Sequence, residues 1–556
     1  MMTIATELRE RALAWLAADV DEQDKADLTA LLADESPETA AELAGMFAGQ
    51  LRFGPDGLRG PVGAGPNRVN RATVTAVTAA VARWLLGREP GAAHAGVVLG
   101  CDAGHRSEEF TAQAARVLAG AGIRVHLLQS AQPAPFLAFA VKFFSAAAGV
   151  MLTAGHSPGA DSAYRVYAAD GAPLMPPADT DIQAAVSELG PLPEIAIAPL
   201  DSPLITRHGD QAAQAYLDAV CSNAGRASRS AAWLRFAFTP GDSPAGALAL
   251  RAFEQAGYPA PDVVAAPFAD PGQPGALDLA IAQARRSACD LILATDADGG
   301  RLAAAVPDPA APGGYRQLTA DQLGALLGAF LLGRMAAEPG IVMAQQLVVS
   351  TVGCGSLLSK IAAAAGAQHA QTLSGFQWLV RAADLRQDVR FAFGYSERHG
   401  FAVGSEVRDA DGIGAALAVL GLAAVAWSVG ESLQDAYDAL EVAHGVHLTS
   451  RVAVPVPAAI HVMSRLRATG PAELAGQPVI QLTDYTGGSW ELPSADMISY
   501  QLPGARVVIR PAEAEPEIDA QLEIVEQVSG RTLANARQAA GQRMALLRAA
   551  VGDLLS

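Results

Sequence analysis

The sequence predicts an α/β protein: three αβα domains with mixed or parallel sheets, followed by a smaller C-terminal α+β domain. Three observations lead there. Short apolar runs repeatedly precede helical patterns, which implies layered sheets with ligand sites beyond the strands' carboxyl ends. The character changes after residue 451. Finally, 556 residues, 51% of them hydrophobic and 17% charged, are enough to fill several cores, since a domain usually takes roughly 100–200 residues.

The elements follow in order. Residues 1–40 are charged and amphipathic, with no apolar stretch of the kind a leader carries, and read as an N-terminal helical extension. Domain one spans 41–210. Within it, "AGVVLGCDAGHRSEEFTAQAARVLAGAGIRVHLL" reads as strand, loop, helix, strand, with Asp102 at the strand end and Ser107 placed to cap the helix. "MLTAGHSPGADSAYRVY" is a strand turning through a small polar loop. Domain two, 211–320, repeats the plan in "AAWLRFAFTPGDSPAGALALRAFEQAGY", and "CDLILATDADGGRLAAAVP" is a strand opening into an acidic loop. Domain three, 321–450, contains Gly412 to Gly430, 19 residues without a charge. Its Ala/Gly-rich composition predicts a buried core helix rather than a membrane span. Domain four, 451–556, carries "GARVVIRPAEAEPEIDAQLEIVE".

The net charge of −18 and pI near 5.0 argue against nucleic-acid or anionic-membrane partners, which need basic surface. An anionic substrate would need locally concentrated arginines. Four dispersed cysteines without C-x-x-C spacing fit a reducing compartment, and a cytoplasmic protein is expected.

Several loops, taken in order, resemble motifs of the α-D-phosphohexomutase family, the phosphoglucomutases and phosphomannomutases. "LRFGPDGLRG" and "GPNRVN" are similar to F-G-T-x-G-L-R-G and G-x-N-R-x-N. "CDAGHRSEEF" is similar to Y-D-x-R-x-x-S-x-x-F, "DPGQPGALDLA" to N-P-E-x-P-x-A-L, and "TLSGFQWL" and "GFAVGSEVRDADGIGAAL" to segments of the third domain. The resemblance covers the chain from about residue 50. It implies four domains around a central cleft and isomerisation of sugar phosphates through a phosphoserine, with Mg²⁺ as cofactor.

Each loop that would carry this chemistry departs from the pattern. T-A-S-H-N-P becomes Thr153-Ala154-Gly155-His156-Ser157-Pro158, so the phosphoserine position holds Gly155, which has no nucleophile. Ser157 lies two residues on, and in-line transfer depends on positioning. The lysine of N-G-Y-K-V-Y becomes Arg165, which does not release its proton near neutral pH. D-x-D-x-D-R becomes Asp296-Ala297-Asp298-Gly299-Gly300-Arg301: Asp296 and Asp298 remain as metal ligands and the third is lost at Gly300. G-Y-E-E-x-x-G-Y becomes Gly394-Tyr395-Ser396-Glu397-Arg398-His399-Gly400-Phe401, where Ser396, Glu397 and His399 are candidate sugar contacts. R-P-S-G-T-E-P-K becomes Arg510-Pro511-Ala512-Glu513-Ala514-Glu515-Pro516-Glu517. A glutamate about 4 Å from a phosphate charge costs roughly 4 kcal/mol at an effective dielectric of 20. The histidine of T-P-L-H-G is Asp242, and the lysine of T-G-F-K is Gln377.

What remains for substrate binding is Arg59, Arg301, Ser396, Glu397, His399 and Arg510, and Mg²⁺ binding is expected to be weak or absent. The resemblance together with these losses implies a pseudoenzyme with a binding, scaffold or regulatory role, partnered by an active mutase or another protein, with a sugar or sugar phosphate as possible ligand. The alternative is an active sugar-phosphate mutase using rearranged residues such as Ser157, His156 and Arg165.

Overall fold

The protein is described from a computed structural model, which covers residues 5–556 apart from 35, 55, 155–160, 191, 226–228, 241–242, 267–269, 457, 490–491 and 513–515. Four large sheets follow one another along the chain. The first has six strands in the spatial order Leu58–Pro61, Asp161–Ala168, Ala148–Thr153, Val97–Cys101, Val125–Leu128 and Ile205–His208. Its centre is parallel, and the Ala148–Thr153 and Asp161–Ala168 strands form an antiparallel pair with Met151 opposite Arg165. The second runs Tyr315–Gln317, Leu302–Pro307, Leu291–Thr295, Phe236–Thr239 and Asp262–Val263. The third runs Gln368–Thr372, Gln346–Thr351, Arg390–Tyr395 and Phe401–Val403. Helices pack on these sheets, and the central strands are buried along their length, as near-continuous apolar runs require.

The fourth sheet is antiparallel throughout: Val446–Pro455, Glu517–Glu526, Ala505–Pro511, Ile498–Leu502 and Gln481–Asp484. From Glu517 to Ile524 the sequence EIDAQLEI alternates polar and apolar residues. Ile518, Ala520, Leu522 and Ile524 enter the core with the long helix Leu533–Leu555, while Glu517, Asp519, Gln521 and Glu523 share the other face.

The Gly412–Ser428 helix is almost wholly buried, and no single described helix is long and apolar enough to cross a membrane. The extension forms three helices, the last running to Met46. Arg106 ties it to domain one by ion pairs to Asp21 and Asp24. Ser107 does not cap its helix: it is the first helical residue, and its hydroxyl donates to Asp102 Oδ1 at 2.8 Å.

The motif Val407-Arg408-Asp409-Ala410-Asp411 bolts the sheets together. Tyr167 OH donates to Asp409 Oδ2, and Tyr216 OH to Asp411 Oδ1, each at 2.9 Å between buried groups. Asp411 also caps the Gly412–Ser428 helix through the Ile413 and Gly414 amides. Burial pushes the Asp411 carboxyl up to about 6. Its folded value lies above its unfolded one, so its contribution to stability is greatest at low pH and is lost as pH rises from about 4 through 6. Two outcomes follow. Tyr216→Phe, which leaves the carboxylate one donor short, lowers stability by about 1–3 kcal/mol in denaturant unfolding. Asp411→Asn removes that slope from stability measured across the same pH window.

Candidate functional site

The first three sheets point the carboxyl ends of their central strands at one cleft, and the fourth closes it. At the end of the first sheet Asp102 is buried and collects donors from Gly104 N (2.8 Å), Ala154 N (2.6 Å), Ser107 Oγ and Thr153 Oγ1 (2.9 Å). Thr153 Oγ1 also lies 2.5 Å from Asp298 Oδ1, so the acidic loop of the second sheet meets the end of the first. Gly155, His156 and Ser157 lie outside the described residues.

The two remaining metal-type carboxylates have protein partners. Asp298 takes Thr153 on one oxygen and has Arg165 Nη1 3.8 Å from the other. Arg165 also faces Tyr167 and Asp409. Asp296 accepts Arg301 N at 3.0 Å, with Arg301 Nε 3.9 Å from its second oxygen. Arg301 itself forms a close ion pair with Asp270. Among the described residues, no group of three His, Cys, Asp or Glu side chains is placed to hold a metal. At Gly300 an added Cβ would meet only Ala410, its carbonyl oxygen at 3.4 Å and its Cβ at 3.5 Å. That is ordinary contact, so packing does not impose the missing carboxylate.

The sugar-type and phosphate-type loops meet directly. Arg510 Nη2 donates to Glu397 Oε1 at 2.6 Å, and its other nitrogen to Ser374 Oγ. Ser374 Oγ in turn donates to Glu397 Oε1 at 2.9 Å, and Thr351 Oγ1 closes on Oε2. Arg510 also lies 3.7 Å from Asp519, its cross-strand neighbour. The Glu397 side chain is 5% exposed and that of Asp519 0%. Burial alone would raise the Glu397 carboxyl; Arg510, Thr351 and Ser374 outweigh it and hold it below its ordinary value of 4.5.

Glu517, at the cradle's lysine position, pairs with Arg451 (2.8 Å), which also holds Asp519 (2.6 Å). Further along the same face, Glu523 accepts from Ser356 N and Oγ, meets His447 Nδ1 at 2.9 Å and lies 3.6 Å from Arg506. Three arginines thus face four carboxylates across this junction. Glu513 and Glu515 lie outside the described residues.

Of the other expected contacts, Ser396 is buried, its amide bound to Gly400 O. His399 sits at φ +60 with Nε2 3.4 Å from Leu318 O and its ring against Gly272. Burial holds its imidazole below the ordinary range, and it packs between loops. Arg59 is exposed on an edge strand opposite Ala163. Sequence reasoning also passed over Gly104, the fourth position of the Y-D-x-R-x-x-S pattern. A Cβ there would fall 2.8 Å from Ala154 Cβ, Asp102 Oδ1 and Ser107 Oγ, so this position is closed to any side chain without local rearrangement. The quoted motif held that signal.

Comparison with known proteins agrees with this fold. The chain matches the three phosphoglucomutase/phosphomannomutase alpha/beta/alpha domains: domain I over residues 50–191, domain II over 214–311 and domain III over 319–442. It is 31% identical over 471 residues to "Probable phosphomannomutase" of Haemophilus influenzae, covering 81% of this chain and 92% of the relative. It is 28% identical over 504 residues to phosphoglucomutase of Staphylococcus epidermidis, covering 84% and 89%. Its fold matches the open form of the phosphoglucomutase parafusin from Paramecium, with TM-score 0.68 at 16% identity over 91% of this chain and 95% of that one.

Breaking a buried pair by removing one partner costs about 3–5 kcal/mol, because the other charge stays buried and unpaired. Arg510→Ala is therefore expected to lower unfolding stability by that amount, and the double variant Arg510→Ala/Glu397→Gln to recover most of it. In urea unfolding, an Arg510→Ala loss typical of an exposed arginine would contradict the pair.

Proposed function

The chain belongs to the phosphoglucomutase/phosphomannomutase family, and on that premise we propose that it keeps the family's fold without its phosphoryl-transfer activity. It is a cytoplasmic binding or regulatory protein that works beside an active relative. One observation carries this reading: Arg510, which the family resemblance assigns to phosphate, and Glu397, assigned to sugar hydroxyls, neutralise each other in a buried ion pair.

A sugar phosphate entering the cleft would have to displace Glu397 from Arg510, leaving a buried carboxylate beside the incoming anion. At about 4 Å and an effective dielectric of 20, that repulsion is about 4 kcal/mol. Asp519, already against Arg510, adds to it.

The donor set does not fit a resident Mg²⁺ either. Mg²⁺ demands near-octahedral oxygen ligands and leans on substrate phosphate. Here two carboxylates each face a guanidinium, and Gly300 offers no third. No step is routed through a metal. The nucleophile position, Gly155, bears no group able to accept a phosphoryl.

A coupled assay with glucose 1-phosphate, glucose 1,6-bisphosphate and Mg²⁺ is expected to give no turnover above the protein-free rate, and family-like turnover would overturn the proposal. Gly155→Ser alone is expected to remain inactive, because Arg510 and Asp298 keep their internal partners. In thermal unfolding, hexose phosphates with and without Mg²⁺ are expected to leave Tm unchanged, since only a ligand that binds the folded state raises it.

A further inference from the structure

At the end of the second sheet opposite the cleft lies a cavity of about 480 Å³ that the reading above does not use. It opens at the amino ends of the strands Phe236–Thr239, Asp262–Val263 and Leu291–Thr295. Its floor is Leu234, Phe236 and Cys289, all buried. Two indoles flank it: Trp233, from the turn before the first strand, and Trp427, from the last turn of the Gly412–Ser428 helix. They are 70% and 45% exposed, although indoles are normally far better covered.

The arginine at this mouth is also paired differently from those of the cleft. The described cleft arginines Arg165, Arg301, Arg451, Arg506 and Arg510 all face carboxylates. Arg235, on the cavity wall, has no ion pair or side-chain hydrogen bond among the described residues; its backbone pairs with Asp290, the amide donating to the carboxylate at 2.9 Å and the carbonyl accepting from the Asp290 amide at 2.7 Å. Arg285 and Arg286 are likewise unpaired and exposed, in the last turn of the helix ending at Ser287, which lines the cavity. Arg235 thus brings a guanidinium without a carboxylate partner among the described residues to a wall that also carries Asp262, and a guanidinium complements an anion. Asp262, the only carboxylate among the lining residues, accepts from Gln283 and has a further oxygen for a hydroxyl donor.

We propose that this cavity binds a nucleoside monophosphate. Indole faces stack on planar bases of any sequence, guanidinium forks match phosphate oxygens, and a carboxylate accepts from ribose hydroxyls. The volume lies within the range of small-molecule sites. Because one indole comes from the second domain and the other from the third, the nucleotide joins the two.

The test is calorimetric titration of the full chain with AMP and UMP, and with adenosine, ribose 5-phosphate and inorganic phosphate. Saturable binding of a nucleotide is expected, at least about tenfold tighter than any of the last three. Arg235→Glu and Trp427→Ala each weaken it about tenfold or more, while Trp427→Phe, which keeps a stacking face and guards against a folding artefact, restores most of the affinity. Three results would overturn the proposal. One is no heat of binding up to about 5 mM nucleotide. Another is binding untouched by Arg235→Glu and Trp427→Ala together, which would place the ligand elsewhere. The third is self-association abolished by Trp233→Ala, which would make the indoles an interface between two copies. None of these bears on turnover, so the inference stands or falls apart from the reading of the cleft.

Discussion

A guanidinium taken out of water must find negative charge, and the cleft is organised by where Arg510 finds it. In a phosphate-binding pocket the ligand supplies that charge, and the pocket stays under-neutralised until the ligand arrives. Here the carboxylates of Glu397 and Asp519 supply it from two different domains. The energetics of such a pair are lopsided: forming it contributes little net stability, yet removing one member leaves a charge with nowhere to go. The junction between the third and fourth sheets is therefore held in one arrangement by this pair. Arg451 with Glu517, and Arg506 with Glu523, extend that arrangement along the strand.

The second half of the cleft follows the same logic with weaker contacts. Two carboxylates that would otherwise repel each other across the acidic loop each have a guanidinium within 4 Å, Arg165 for Asp298 and Arg301 for Asp296. Arg165, at a lysine-type position, then has a physical role in the charge balance of the acidic loop. It sets a permanent cation 3.8 Å from the Asp298 carboxylate.

Much of this was legible in the sequence, and what was not has a common cause. The alternation of EIDAQLEI marks its strand, its buried face and its acidic face. The uncharged stretch after Asp411 marks a core helix, and the loop motifs mark where the strands end. Composition could not say which arginine meets which acid. Arg510 and Glu397 are 113 residues apart, and Arg165 and Asp298 still further, so no spacing rule links them. Local rules failed where a long-range partner was stronger, as at Ser107, whose hydroxyl turns to Asp102 instead of capping. His399 sits in the sugar-type loop, and its ring contact with Gly272, more than a hundred residues earlier in the chain, is equally beyond any spacing rule.

The intact and altered motifs also sort by mechanical role. Asp409 and Asp411 hold Tyr167 and Tyr216 of other domains, and Asn70 binds the Gly63 and Gly65 carbonyls while capping its helix. Changing any of them would leave buried polar atoms unpaired, whatever the protein does. The altered positions fall into two kinds. At Gly300 a Cβ would meet only ordinary contacts, so packing against the backbone does not require glycine there. At Gly104 the packing has closed over the vacancy, with three atoms 2.8 Å from where a Cβ would stand. A site that had lost only side chains could regain its chemistry by substitution. Here the Gly104 contacts and the Arg510–Glu397 pair involve the surroundings as well, so on the proposed reading a return of the chemistry would need repacking of the first sheet's rim and release of the junction between the third and fourth.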